Sequence, residues 1–143
     1  MRLLISACLM GIRCRYDGKS KPIACVEELN KRYTLIPVCP EVWGGLETPR
    51  VPAERIGARV LTEDGRDVTA AYALGAQRVL DIARSGGCEL ALLKERSPSC
   101  GLGSIYDGTF TGKLCEGKGV CAQLLTENGI RVIGESRVDE LLK

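Results

Sequence analysis

The chain has 143 residues, of which 45% are hydrophobic and 27% charged, and its net charge is +2. These values are typical of a soluble globular protein and argue against a disordered or fibrous chain. The near-neutral charge and an aromatic content of 4% argue against a nucleic-acid-binding surface. No apolar run approaches the ~20 residues of a membrane helix, and no signal-peptide pattern is present, so we expect a cytoplasmic protein.

Two counts are unusual, because the chain has eight cysteines and no histidine. In a cytoplasmic protein, cysteines bind metals, take part in catalysis or pack in the core more often than they form disulfides. The absence of histidine removes the commonest general base and metal ligand. Any bound metal would therefore be held by thiolates, carboxylates or backbone groups, and another side chain would transfer protons.

The first part of the chain is predicted to contain two strands and a helix. Residues 2–7 are nearly all apolar, which predicts a strand buried on both faces. A long loop follows over residues 8–22, and apolar side chains at helical spacing predict a helix over 23–32. Residues 34–38 predict a second strand, and Pro37 favours an edge position because proline cannot donate to a central ladder.

The stretch over residues 39–57 is rich in proline and glycine and is predicted to be an irregular loop that builds a functional site. Within it, Arg50 and Glu54 are expected to form an ion pair that stiffens the loop. A small hairpin is predicted next, between residues 59–62 and 66–68, with a turn at the Glu-Asp-Gly sequence that joins them. We expect this hairpin to stand apart from the main sheet.

The rest of the chain alternates helices and strands. The predicted elements are a helix over 70–85 with Thr69 as its N-cap, a strand over 89–94, a glycine-rich loop to 117 with an extended piece near 109–111, a helix over 118–127, a strand over 130–133 and a short helix over 137–142 capped by Ser136.

Strands that alternate with helices indicate a parallel sheet with helices on both faces. The predicted fold class is therefore α/β. We expect a single domain over residues 1–143, built on a doubly wound, mostly parallel, Rossmann-like sheet of about four strands. The small hairpin and the long loops are expected at the C-terminal edge of the strands.

Three cysteines lie just past the carboxyl ends of predicted strands: Cys8 and Cys39 follow their strands directly, and Cys100 lies on the Ser-Pro-Ser-Cys turn after the strand over 89–94. In an open parallel sheet, ligands bind outside the carboxyl ends of the strands, so we expect these three thiols to converge there. Three thiolates without histidine suit soft metals, with iron–sulfur clusters and zinc as the leading choices. The alternative is that they are free thiols of small residues in tight turns.

The remaining cysteines are given simpler interpretations. Cys14 lies six residues after Cys8 and is a candidate fourth ligand, although we favour an ordinary thiol at this position. Cys115 is expected to be an exposed thiol in the glycine-rich loop. Three others are expected to pack in the core: Cys25, Cys88 and Cys121.

Six short motifs are spread over nearly the whole chain. They are SACLMG at 6–11, RYDG at 15–18, PVCPE at 37–41, GGL at 44–46, PRVPAE at 49–54 and SPSCG at 97–101. Together they resemble the family that contains the bacterial 2-thiouracil desulfidases, long known only as a domain of unknown function. The combination is more specific than any one of the motifs.

The resemblance implies a [4Fe–4S] cluster held by Cys8, Cys39 and Cys100, with one iron not bound by the protein. It also implies that Glu41 and a serine of the Ser-Pro-Ser-Cys turn, Ser97, assist catalysis. The implied reaction removes sulfur from a thiolated pyrimidine such as 2-thiouracil, which converts C=S to C=O and releases sulfide. The expected partner is therefore a small thiolated heterocycle.

Polar residues near these motifs are candidates for substrate binding. Arg15, Tyr16 and Asp17 are placed to line a pocket mouth and to hydrogen-bond a pyrimidine ring. A solvated surface loop is the alternative interpretation for the charged members of this set. Ser99 is a further candidate because it lies in the same turn as Ser97.

Two other functions stay open on the sequence alone. One is a cluster-dependent enzyme that removes or transfers sulfur on RNA bases, which the lack of a basic stripe argues against. The other is a non-catalytic protein that binds metal through three thiolates or senses redox state through reactive thiols. Anaerobic purification followed by iron and sulfide analysis would separate these functions.

Overall fold

Four parallel strands form the central sheet of the computed structural model, which describes residues 1–143. In chain order, the elements are β1 (Arg2–Ser6), α1 (Val26–Arg32), β2 (Thr34–Val38), α2 (Pro40–Trp43), β3 (Ala53–Ile56), β4 (Arg59–Thr62), α3 (Thr69–Gly86), β5 (Leu90–Leu93), β6 (Ser104–Tyr106), β7 (Leu114–Glu116), α4 (Val120–Glu127) and β8 (Arg131–Gly134). Two 3₁₀ segments, Ala7–Met10 and Glu135–Leu141, follow β1 and β8. None of the helices combines the length and the apolar character needed to cross a membrane.

The central sheet has the strand order β2-β1-β5-β8, and every neighbouring pair is parallel. These are the four strands predicted from the sequence, because a sheet buried on both faces requires continuous apolar runs. In β1, for example, Leu3, Leu4 and Ile5 are fully buried. Pro37 lies in β2 at the edge of the sheet, so the edge position expected for this proline is confirmed.

Helical elements cover both faces of the sheet. On one face, α3 and α4 pack in a core that includes Leu4, Leu80 and Leu125. On the other face, α1 and the two 3₁₀ segments pack in a core that includes Leu3 and Leu29. Successive residues of β1 thus face opposite cores, and the predicted α/β fold with a doubly wound parallel sheet is confirmed.

The first hairpin differs from its prediction. Strand β4 has the predicted bounds, but its antiparallel strand partner is β3, which precedes it. Residues 66–68 also run antiparallel beside β4 as predicted, through a single bridge between Leu61 and Asp67, but they do not form a strand. Ile56 pairs with Arg59, which leaves a two-residue turn where Gly57 takes a φ of 59°. The error arises because prolines and glycines flank β3 and hide this four-residue strand. As expected, the hairpin is separate from the central sheet.

A second hairpin, β6–β7, lies in the stretch predicted to be a glycine-rich loop. The extended piece expected near 109–111 is the tip of this hairpin and not a strand. Each of its strands has three residues, which is too short for apolar alternation to be visible in the sequence. Gly108 and Gly112 take positive φ values and turn the chain between the strands.

Two helix starts also differ from the prediction. Helix α1 begins at Val26, three residues later than expected, and Ile23 instead donates its N–H to the Leu9 carbonyl of the 3₁₀ segment after β1. Thr69 lies in the first turn of α3 and does not cap it. Its hydroxyl instead accepts the Val60 N–H at 2.9 Å, which ties α3 to the first hairpin.

The last helical segment is a 3₁₀ helix over Glu135–Leu141, and Ser136 does not cap it. The Ser136 hydroxyl donates to Glu95 Oε2 at 2.6 Å, and its N–H donates to Glu95 Oε1 at 2.9 Å. Glu95 lies two residues after β5, so the C-terminal segment is attached to the loop at the carboxyl end of that strand. The sequence shows the helical pattern here, but the partner of Ser136 lies 41 residues away.

Short helix α2 packs directly on α3, which fixes the chain immediately after β2. A Cβ at Gly75 of α3 would overlap with the carbonyl oxygen of Pro40. A Cβ at Gly44, which follows α2, would overlap with the carbonyl oxygen of Ala71. Glycine is thus required on both sides of this contact. Helix α2 itself is not predicted from the sequence, because it lies in the stretch over 39–57 that is expected to be irregular.

Candidate active site

A cavity of about 500 Å³ opens at the carboxyl ends of β1, β2 and β5. The segments that follow these three strands contribute side chains to it, and so do the β6–β7 hairpin and the chain around β3. This is the edge of the sheet at which ligands bind in open α/β folds. Its volume lies in the range of small-molecule sites.

The three cysteines predicted to converge all line this cavity: Cys8, Cys39 and Cys100. Cys8 lies in the 3₁₀ segment after β1 and is 7% exposed, and Cys39 links β2 to α2. Cys100 lies in the turn after β5 and is 5% exposed. Three separate strands therefore deliver three thiols to one cavity, and every cysteine of the chain is a free thiol.

Cys14, the candidate fourth ligand for which an ordinary thiol is the favoured interpretation, also lines this cavity. It is 8% exposed. Its carbonyl oxygen accepts the Cys39 thiol at 3.8 Å. The only signal in the sequence is its short separation from Cys8.

No group of three or more Cys, Asp and Glu side chains is arranged to hold a single metal ion.

Cys39 and Cys100 have raised pKa values and stay protonated when no metal is bound. A hydrogen bond with Cys14, followed by burial, raises the pKa of Cys39 far above its usual range. Burial raises the pKa of Cys100 to about 12, although hydrogen bonds from Ser6 and Ser99 act in the opposite direction. Because metal ligands must be thiolates, loading this site with metal releases protons.

Glu41 is held in the cavity by hydrogen bonds on both of its carboxylate oxygens. It lies in the first turn of α2, directly after Pro40. Arg50 Nε donates to Oε1 at 3.1 Å, and Arg50 Nη2 lies 3.0 Å from the same oxygen in an ion pair. Ser99 Oγ donates to Oε2 at 2.8 Å, and Ser97 Oγ lies 3.4 Å from the same oxygen. The carboxylate is thus fixed between a buried guanidinium and two hydroxyls.

Arg50 connects Glu41 to the surrounding loops. Its Nη2 also donates to the Cys14 carbonyl at 2.9 Å, and its Nη1 donates to the Glu47 carbonyl at 3.1 Å. The side chains of Arg50 and Glu41 are only 9% and 13% exposed. The expected pair between Arg50 and Glu54 is therefore wrong, because Arg50 pairs with Glu41 of α2, and Glu54 accepts the backbone N–H groups of Gly108 and Phe110.

The Ser-Pro-Ser-Cys turn gives its two serines different environments. Ser97 Oγ accepts the backbone N–H groups of Ser99 and Cys100, both at 3.1 Å, which closes the turn. Ser99 Oγ makes the shorter contact with Glu41 and lies 3.6 Å from Cys100 Sγ. Arg96, just before the turn, has a φ of 68° and redirects the chain as it leaves β5. Ser99 is the serine in closest contact with both the carboxylate and a thiol.

Tyr72 of α3 also lines the cavity, although nothing in the sequence analysis identifies it. It is 2% exposed. Burial raises the pKa of Tyr72 far above its usual range, and the neighbouring Glu41 carboxylate raises it further. The phenol is therefore a neutral hydroxyl beside Glu41. Tyr72 lies at the helical spacing of the apolar core residues of α3, so the sequence does not distinguish it from an ordinary core residue.

The predicted substrate-binding residues divide into two groups. Ser99, Arg15 and Tyr16 line the cavity, and the Arg15 guanidinium lies 5.9 Å from the centre of the Tyr16 ring. Asp17 does not line it. Its carboxylate accepts the Lys19 N–H at 3.0 Å and lies 4.0 Å from Arg15, because it closes the Asp-Gly turn of the loop.

The family model described as 2-thiouracil desulfurase matches residues 3–137 of the chain. The chain belongs to the 2-thiouracil desulfurase family. The resemblance inferred from the six motifs is thereby confirmed.

Two similar proteins agree with this membership of the 2-thiouracil desulfurase family. An uncharacterised protein of Bacillus subtilis (strain 168), YbbK, is 42% identical over 150 residues, which cover 98% of this chain and 99% of the relative. The solved structure of TudS, a [4Fe–4S]-dependent thiouracil desulfidase, is 46% identical and has a TM-score of 0.94. The match covers 98% of this chain and 94% of TudS.

Proposed function

We propose that this member of the 2-thiouracil desulfurase family removes sulfur from thiolated pyrimidine nucleobases such as 2-thiouracil, in a reaction that depends on a [4Fe–4S] cluster. One water is consumed, the C=S group becomes C=O, and the sulfur leaves as sulfide. The observation that supports this function best is the single cavity shared by three cysteine thiols and Glu41. The similarity of the whole chain to TudS supports the same activity.

The donor set of the cavity fits the cluster. Cys8, Cys39 and Cys100 would hold it, because thiolates are the usual ligands of iron–sulfur clusters and these thiols are not engaged in disulfides. When bound, a cluster with one iron free of protein ligands supplies a Lewis acid with an affinity for the sulfur of a thiocarbonyl group. The chain itself must supply the base, the substrate contacts and the exclusion of bulk water.

Glu41 is the proposed general base, since the chain has no histidine and this carboxylate lines the cavity. In this role it takes a proton from the water that attacks the thiocarbonyl carbon. The 2.8 Å hydrogen bond from Ser99 Oγ orients the carboxylate, and Ser97 supports it by closing the turn. We propose that Ser99 rather than Ser97 is the serine in contact with the reacting groups.

Anaerobic reconstitution with iron and sulfide, followed by assay with 2-thiouracil, tests this function. The expected result is a brown protein that contains iron and labile sulfide and that removes the thiocarbonyl absorbance of 2-thiouracil while releasing sulfide. A fully reconstituted protein that leaves 2-thiouracil, 4-thiouracil and their nucleosides unchanged would contradict it.

The same preparation separates the other two functions. Salt-sensitive binding of thiolated RNA, with turnover of RNA and none of the free base, would support sulfur removal from RNA. A colourless protein that retains zinc and takes up no iron would support a non-catalytic thiolate site. The small volume of the cavity favours a free heterocycle as the substrate.

A further inference from the structure

Aromatic side chains are concentrated around the cavity. The chain has six aromatic residues, and four of them line this one site: Tyr16, Tyr72, Tyr106 and Phe110. In a protein with an aromatic content of only 4%, this concentration is what a binding site for a flat ring requires. The proposed function does not yet assign a role to these rings.

Phe110 is the residue whose position is hardest to explain by packing alone. It lies at the tip of the β6–β7 hairpin, is half-buried and has a φ of 58°. A positive φ is rare for a bulky residue and persists only where the surroundings impose it. Only one other non-glycine residue of the chain, Arg96, has a positive φ, and it lines the same cavity. Backbone strain in this molecule is therefore confined to the site.

A buried carboxylate holds the hairpin tip in this conformation. Glu54 of β3 is 9% exposed, and its Oε1 accepts the N–H groups of Gly108 at 2.9 Å and of Phe110 at 3.1 Å. Asp107 Oδ1 accepts the N–H of Thr109 at 3.0 Å, which closes the turn from inside. Glu54 also lines the cavity. The carboxylate thus anchors the backbone on both sides of Thr109 and determines where Phe110 is presented.

The positions of the other three aromatic residues are explained by their local environments. Tyr72 is fully buried with its hydroxyl beside Glu41, and Tyr16 is 41% exposed next to the guanidinium of Arg15. Tyr106 belongs to strand β6, so the alternation of that strand sets its direction. Phe110 alone combines an unsubstituted ring, a strained backbone and a dedicated anchor.

We infer that Phe110 is the residue that recognises the substrate ring, by offering an aromatic face on which a planar, unsaturated heterocycle stacks, and that Glu54 positions it. The inference rests on the proposed function for the identity of the ring, a pyrimidine. It adds a specificity, because a stacked face distinguishes a flat aromatic base from its saturated 5,6-dihydro counterpart. Neither the cluster nor Glu41 provides that discrimination.

Isothermal titration of the anaerobically reconstituted protein with uracil and with 5,6-dihydrouracil tests this inference without requiring turnover. The wild type is expected to bind uracil more tightly than dihydrouracil. Phe110→Leu is expected to weaken uracil binding about tenfold, a typical contribution for one stacked base, and to leave dihydrouracil binding nearly unchanged. Phe110→Tyr should preserve the preference.

Two further variants separate ring recognition from loss of folding. Glu54→Ala retains the Phe110 side chain but releases the hairpin tip that positions it. This variant should therefore reduce the preference for uracil over dihydrouracil, as Phe110→Leu does. Leu114→Ala is the matched control, because Leu114 lies on the same hairpin, is 40% exposed and does not line the cavity. This control should bind both ligands as the wild type does.

The outcomes for the inference and for the proposed function are distinct. Equal affinity of the wild type for the two ligands, or no binding of uracil, contradicts ring recognition by Phe110, whatever the variants do. An unchanged preference in a folded Phe110→Leu protein contradicts it as well. A protein that prefers uracil through Phe110 but never desulfurises a thiolated base contradicts the proposed function alone.

Discussion

Glu41 and Arg50 show how single side chains give the cavity its chemistry. A carboxylate that acts as a base must be ionised and must point at its water, and both conditions depend on its partners. The planar guanidinium donates to Oε1 from Nε, forms an ion pair with the same oxygen through Nη2, and is itself fixed by the carbonyls of Cys14 and Glu47. On the other side of the carboxylate, Ser99 Oγ donates to Oε2 and lies 3.6 Å from Cys100 Sγ.

Replacement of Glu41 tests its role as base directly. In Glu41→Gln the side chain keeps its shape but cannot take a proton, so we expect kcat to fall about 10²–10⁴-fold while the iron content stays unchanged. Glu47→Gln is the matched control, since Glu47 is exposed six residues away and does not line the cavity. Wild-type turnover in a fully loaded Glu41→Gln protein would contradict the assignment.

Loss of the Arg50 guanidinium tests the buried ion pair. Arg50→Met leaves the Glu41 carboxylate buried without its cation, and breaking such a pair costs about 3–5 kcal/mol. Arg59→Met is a useful comparison because the Arg59–Asp67 pair is 65% and 48% exposed, and exposed pairs contribute about 1 kcal/mol or less. Urea unfolding measures both, and equal stability losses in the two variants would contradict a structural role for Arg50.

At the scale of elements, the contact between α2 and α3 positions the base. Glu41 lies on a helix of only four residues, which has little stability of its own. Its orientation therefore depends on the close approach of Pro40 to Gly75, where no side chain fits. The long helix α3 therefore supports α2 and the Glu41 side chain on it.

A methyl group at Gly75 tests this support. We expect Gly75→Ala to destabilise the protein by about 3 kcal/mol, the upper end for overpacking, because the new Cβ meets backbone that cannot rotate away. It should also lower kcat by displacing Glu41. Gly86→Ala on the same helix is the control, since its Cβ would make only ordinary contacts, 3.4 Å from Ile36 Cδ1. Comparable melting temperatures for the two variants would contradict the account.

The elements that the sequence predicts well are those long enough to show a regular pattern of apolar residues along the chain. The apolar runs of β1 and β5 and the apolar stripe of α3 are set by burial in the sheet and its covering layer, so they appear as patterns along the chain. Helix α2 and strands β3, β6 and β7 have three or four residues and are stabilised by contacts with distant segments. Patterns of that length are too short to be recognised.

At the scale of the molecule, the convergence of Cys8, Cys39 and Cys100 is predictable because strand direction is predictable. Each thiol lies in the segment that follows a parallel strand, so the fold class brings them to one edge of the sheet. Cys14, Tyr72 and Phe110 come from a loop, a helix and a hairpin tip, and no rule of topology orients these elements toward the cavity. They are visible only once the chain is folded.

Iron analysis of cysteine variants after anaerobic reconstitution shows whether three converging thiols hold a [4Fe–4S] cluster. Cys100 and Cys88 are both 5% exposed, but only Cys100 lines the cavity. We expect Cys100→Ser, like Cys8→Ser and Cys39→Ser, to lose the cluster, whereas Cys88→Ser should bind iron and sulfide as the wild type does. Full cluster content in Cys100→Ser, or equal loss in Cys88→Ser, would contradict this expectation.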